Sequence, residues 1–167
     1  CVETLKGEGA EIIVCLSHSG TGDSLASSED EELAKAVDGI DVIVSGHTHS
    51  TLAEPLVVND TYIVSSGPYC QNLGSLTFSW DDGGEKRLLD YRLIPIDETV
   101  AEAPEIAGLV EQWKDMVGET YLARYGLTYD EVLTHTDYDL TTPASVVQKN
   151  NGLGTLVSDA FLWADRT

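Results

Sequence analysis

Apolar residues in this chain fall into runs of two periods, and the switch between them divides the sequence. The early runs are short, continuous and rich in β-branched residues. Ile12 to Leu16 and Ile40 to Ser45 each read as a strand covered on both faces, since neither alternates with polar positions. Between them, Ser17 to Ser28 reads as loop, rich in Gly and Ser around Asp23. Ser28 then caps a helix. Glu31 completes a capping box, and Glu29, Asp30, Glu31 and Glu32 load the first turn with the charge that the helix dipole favours. Leu33, Ala36 and Val37 make its inner face, and Gly39 ends it. Residues 11 to 45 thus predict a strand–helix–strand unit, parallel and right-handed. Ahead of it, Val2 to Ala10 reads as the end of a helix or a loop, broken at Gly7 and Gly9.

After residue 49 the period shortens. Leu56-Val57-Val58 and Tyr62-Ile63-Val64-Ser65 flank Asn59-Asp60-Thr61, a hairpin signal. Leu76, Phe78 and Trp80 alternate with Ser75, Thr77 and Ser79. Asp81-Asp82-Gly83-Gly84 reads as a turn, and Arg87 to Ile96 returns as a strand. This half predicts an antiparallel meander. From Pro104, which suits a first helical position, Ile106, Leu109, Val110, Trp113, Met116, Val117 and Tyr121 recur at helical spacing until Gly126. Trp113 and Tyr121 are assigned to packing on that periodicity. Val132 to Leu140 reads as a strand stopped by Thr141-Thr142-Pro143. Asn150-Asn151-Gly152 leads into a helix over Leu153 to Ala164. Three short elements cannot close a core, so a second domain is expected to start near residue 127 and to be truncated.

Charge narrows the function classes. The 167 residues carry 9 basic and 29 acidic side chains, a net charge of -20, which excludes a general nucleic-acid or anionic-membrane binder because phosphate backbones repel such a surface. It suits a solvated, secreted or salt-tolerant protein. No apolar run approaches the ~20 residues that span a bilayer. Cys1, Cys15 and Cys70 form neither a disulfide framework nor a zinc-ligand spacing. Cys15 reads as a small core residue, and a Cys1–Cys70 bridge stays open. With Cys1 first and no signal-peptide pattern, the start reads as cut.

Three histidines carry the candidate chemistry. His18 follows the first buried strand and precedes Gly20; His47 and His49 follow the second in Gly46-His47-Thr48-His49. In an extended chain side chains alternate, so His47 and His49 are expected on one side and Thr48 on the other. The C-terminal edge of a parallel sheet is where open α/β folds hold ligands. Imidazoles converging there predict metal ligation, with Zn, Mn, Fe, Ni and Co all compatible. Asp23, Asp38 and Asp41 do not obviously supply the carboxylates that two metals would need. His135 reads as surface, and Ser17 and Ser19 lack the elbow of a serine nucleophile.

Leu16-Ser17-His18-Ser19-Gly20 followed by Gly46-His47-Thr48-His49 resembles the last two signature blocks of the calcineurin-like metallophosphoesterases. Gly67-Pro68-Tyr69, Leu73-Gly74-Ser75-Leu76, Tyr91 to Ile96 and Leu153 to Ala160 look like the 5′-nucleotidase / UDP-sugar hydrolase / 2′,3′-cyclic phosphodiesterase family, over nearly the whole chain. The family usually has Glu where Asn150 stands and Asn where Thr155 stands, which puts the contacts of the second domain in doubt.

The resemblance implies an α/β (α+β) fold: the C-terminal half of an αββα metallophosphatase sandwich over residues 1–98, a linker with a long helix over 99–126, and the truncated start of a C-terminal substrate-binding domain over 127–167. It implies two divalent metal ions, zinc, manganese or similar, with His18 and His47 on one and His49 on the other. The catalytic His–Asp dyad and the remaining ligands would lie upstream of residue 1, and the substrate-binding arginines and aromatics downstream. It implies phosphomonoester hydrolysis of nucleotides or nucleotide-sugars by a metal-bound hydroxide, in an extracellular, periplasmic or cell-surface protein, with the chain as given inactive. The rival reading is a non-catalytic acidic binding module that keeps the fold. A third is a single zinc held by His18, His47 and His49 alone.

Overall fold

Three apolar segments pair side by side in parallel at the centre of the fold. β1 (Val14–Ser17) lies beside β2 (Val42–Ser45), and β2 beside β4 (Thr61–Val64). β3 (Leu56–Val58) joins β4 antiparallel, giving the order β1-β2-β4-β3. The computed structural model describes residues 1–22, 28–81, 86–138, 140 and 152–166, in two units, Cys1–Ala101 and Glu102–Thr167. Asp23, the turn residues Asp82-Gly83-Gly84, the strand stop Thr141-Thr142-Pro143 and Asn150-Asn151 lie outside the described residues.

α1 (Val2–Gly7) precedes β1, and α2 (Glu29–Ala36) connects β1 to β2, so the mixed α/β strand–helix–strand unit is present. Its core is Ala34, Ile40, Ile43 and Ile63, with Cys15, Leu33, Val37 and Val58 packed against it. β2 and β4 are the buried strands; Ile43 and Ile63 have no exposed surface. β1 departs from the expectation of two covered faces. It is an edge strand, and Leu16 is 82% exposed.

Three further expectations are corrected. The antiparallel hairpin of β3 and β4 forms as expected, but it does not continue as a meander, because the other side of β4 is taken by β2 in parallel. Asn59 and Asp60 both take positive φ between β3 and β4, as a two-residue hairpin turn requires. The capping box is not made either. Ser28 is the N-cap of α2, but its hydroxyl donates to the Gly22 carbonyl at 2.8 Å, and Glu31 accepts from Thr21 Oγ1 at 2.8 Å. The carboxylate is drawn to the loop in front of the helix. α2 also stops earlier than expected, with Val37 already extended.

β5 (Asn72–Trp80) and β6 (Lys86–Pro95) form an antiparallel pair with an irregularity between Thr77 and Phe78. Phe78 meets Tyr62 of β4 edge-on at 5.7 Å, and the Tyr91 hydroxyl donates to the Leu52 carbonyl at 2.7 Å. Lys86 pairs with Asp41, whose other oxygen accepts from the Ile13 amide at 2.7 Å. Aromatic contact, hydrogen bond and ion pair thus tie this hairpin to the sheet at three places.

In the second unit, α3 (Pro104–Thr120) starts on proline as expected and continues into a 3-10 turn over Leu122–Tyr125, closed by left-handed Gly126. Its apolar stripe is present but exposed among the described residues: Trp113 is 62% exposed and Tyr121, whose ring meets Tyr125 edge-on at 5.5 Å, is 57% exposed, so the assignment of both to packing fails. α4 spans Gly152–Asp165. Val132 to Tyr138 forms no strand, since this unit has no strand among the described residues to complete a ladder. All three cysteines are free, and among the described residues no helix is long and apolar enough to cross a membrane.

Two outcomes are expected. Ile63→Ala should lower the urea unfolding free energy by about 2–5 kcal/mol, because it removes volume from the closed centre of the sheet. Burial pushes the Tyr91 phenol above its ordinary value. Its raised folded value gives stability that is complete below the unfolded value, about 10, and lost as pH rises through the folded one. Tyr91→Phe should therefore show a smaller alkaline fall in thermal midpoint than the parent.

Candidate metal centre

The parallel ladder sets the site. Ser17 and Ser45, the last residues of β1 and β2, are register partners, so the loops leaving both strands start side by side at the C-terminal edge of the sheet. Each loop presents a histidine at once. The rings of His18 and His47 stand 5.2 Å apart between centroids, inclined at 64°. Two imidazoles on one tetrahedral ion, with metal–nitrogen bonds near 2 Å, hold their centroids about 5 Å apart. The observed separation matches that distance.

His49 goes elsewhere. Its ring meets Tyr69 edge-on, at 5.3 Å between centroids. The alternation expected of an extended chain fails, because β2 ends at Ser45 and both histidines take positive φ, 70° at His47 and 56° at His49. The Thr48 amide donates to the Gly46 carbonyl at 2.9 Å, a γ-turn centred on His47. A γ-turn with positive φ at its centre is rare and strained, of order 1–3 kcal/mol for such a residue. Tyr69 and Cys70 are left-handed as well. Four strained non-glycine residues lie in the two segments that bring His49 and Tyr69 together.

Thr48 holds the strained turn. Its hydroxyl accepts from the Thr21 amide at 3.2 Å and donates to the Thr21 carbonyl at 2.7 Å. Ser50 Oγ donates to the same carbonyl at 2.7 Å, and Ser65 Oγ donates to the Ser50 carbonyl at 2.6 Å. One side chain thereby takes the place of a strand neighbour and joins the His18 loop to the His47 loop. Thr21 is 1% exposed, so its backbone groups have no water to replace a lost partner. Gly20 and Gly46 permit the closeness. Gly20 has φ 107°, and a Cβ there would strike the Thr48 methyl; a Cβ on Gly46 would lie 3.0 Å from His18 Nδ1.

Behind His18 lies Asp30, fully buried in the first turn of α2, where it accepts from Ser17 Oγ and, at 3.1 Å, from the Gly20 amide. Ser45 Oγ is buried next to this cluster and has no hydrogen-bond partner among the described residues. No carboxylate completes the histidine pair: among the described residues no three or more His, Cys, Asp or Glu side chains gather as a metal-binding group. The three histidines likewise do not converge on one point. Thr48, Asp30 and Tyr69 had weak signals in the sequence. Thr48 looked like a spacer, Asp30 like one of four first-turn acids, and Tyr69 entered through the Gly67-Pro68-Tyr69 resemblance alone, with no role assigned.

No family model matches the chain. It is 30% identical over 156 residues to the trifunctional nucleotide phosphoesterase protein YfkN of Bacillus subtilis, covering 90% of this chain and 10% of YfkN. It is 26% identical over 180 residues to a 5′-nucleotidase of Diplobatis ommata, covering 96% of this chain and 29% of that protein. Among solved structures it resembles the sulfate thiohydrolase SoxB of Thermus thermophilus, with a TM-score of 0.57 and 28% identity, over 71% of this chain and 20% of SoxB. The chain therefore spans between a tenth and under a third of the length of these proteins.

Thr48→Val should lower stability by about 1–3 kcal/mol, since it strands the amide of buried Thr21 and leaves its carbonyl to Ser50 alone. Thr48→Ser keeps the hydroxyl and should retain most of it. Urea unfolding of both variants gives the comparison, and equal loss in the two would refute the clamp.

Proposed function

The chain belongs to the calcineurin-like phosphoesterase family of the 5′-nucleotidase type, and we propose that its protein hydrolyses phosphomonoesters of nucleotides at a two-metal centre to which this chain contributes His18, His47 and His49. The observation that carries the reading is the His18–His47 pair, at metal-sharing separation on adjacent parallel strand ends. His49, held away from that pair against Tyr69, would serve a second ion.

Bound divalent ions would withdraw charge from a phosphate oxygen and favour attack on phosphorus. This chain's residues supply placement. The γ-turn aims His47, the Thr48 clamp keeps its loop against the His18 loop, and Tyr69 limits the swing of His49. Residues 1–98 would be the metallophosphoesterase part, 99–126 the linker, and 127–167 the start of a domain that receives the nucleoside. The substrate class is nucleotides or nucleotide-sugars, and the acidic surface suits a secreted or cell-surface setting.

Isothermal titration with Zn(II) is the test. His18→Ala and His47→Ala should each weaken binding at least about tenfold, and equal binding in parent and variants would overturn the assignment. The 167-residue polypeptide, which brings no carboxylate to the histidine pair among the described residues, should release no phosphate from AMP with Mn(II) or Zn(II). Release above the buffer rate would refute that expectation.

A further inference from the structure

We infer that Asp30 is a positioning residue for His18, an inference that rests on the metal reading for its use but not for its geometry. Asp30 has no exposed surface, although it sits in a helix turn where an exposed acid would satisfy the dipole as well as Glu29 and Glu32 do. Burying a carboxylate is costly unless hydrogen bonds replace its water. Here the replacement comes from one short loop. Ser17 Oγ donates to one oxygen and the Gly20 amide donates to the other at 3.1 Å. The Asp30 amide returns a bond to the Gly20 carbonyl at 3.0 Å. Ser17 Oγ meanwhile accepts from the Ser19 amide at 3.2 Å.

Ser17, Ser19 and Gly20 are thus tied to Asp30, directly or through Ser17. His18 is the remaining member of the loop, and its side chain stands exposed. The carboxylate grips the chain one residue before and two residues after His18, so the backbone that carries the imidazole cannot pivot. α2 is anchored in the core through Ala34, which is fully buried, so the grip has a rigid support. Bonds to a charged acceptor are stronger than neutral ones, and two oxygens hold two points where a hydroxyl would hold one. Asp30 touches no ligand. It acts through the orientation of His18.

The test compares Asp30→Asn and Ser17→Ala with the parent in the full chain. The metal-free readout is the His18 ring signal in a proton–carbon spectrum. Both variants should broaden it or split it, with the His135 signal in the other unit unchanged. An unaltered His18 signal in a folded variant overturns the inference. If Asp30→Asn fails to fold, Ser17→Ala still removes one of the two grips while the carboxylate stays in place. The second readout is Zn(II) affinity. Asp30→Asn should weaken it about tenfold, and should cause no further loss in a His18→Ala background, since coupled residues are non-additive. Equal loss in both backgrounds refutes action through His18. Broadened His18 signals with Zn(II) affinity indifferent to His18→Ala would leave the positioning role standing and remove the metal reading.

Discussion

Ser17 and Ser45 face each other as the last rungs of a parallel ladder, and the arrangement around the histidines follows from that pairing. A slip by one residue would turn each strand's core set outward and carry the two exits apart. Ile43 prevents it, because its fully buried side chain has a matching place only beside Cys15 and Ile63. Hydrophobic registry thus acts at a distance: aliphatic packing in mid-strand decides which polar residues meet at the rim.

What meets there is held by a second kind of bonding. The sheet's ladder ends at Ser45, and beyond it side chains substitute for backbone. Thr48 and Ser50 satisfy Thr21, Asp30 satisfies Ser17 and Gly20, and Ser65 reaches Ser50. Small hydroxyl residues are well matched to the task, having little rotamer freedom to lose and both donor and acceptor capacity. The strain at His47 persists because these bonds surround it.

Much of this was legible beforehand. Continuous β-branched runs marked β1 and β2, Asn59-Asp60 marked the hairpin, Pro104 the start of α3, and the histidines stood out at strand exits. The failures share a cause. Alternation at His47 and His49, the capping box at Ser28 and the packing of Trp113 are local rules, and each was overridden or left unmet by partners distant in sequence. The meander failed likewise, since nothing within residues 56–65 records that β4 will choose β2 as a parallel neighbour. Asp30 could not be told from Glu29, Glu31 and Glu32 by composition, because burial alone distinguishes it.

Among the described residues β1 has a strand partner on one side only, and its outer edge with the exposed side chains of Val14 and Leu16 forms an open template of the kind that recruits further strands. What opposes recruitment is the charge of -20, since two copies repel before their edges can meet. That repulsion has a range, the Debye length, about 10 Å at 0.1 M salt and about 3 Å at 1 M. The chain's colloidal behaviour is accordingly governed by ionic strength: dilute buffer keeps copies beyond reach of one another, and concentrated salt lets one exposed edge find the next.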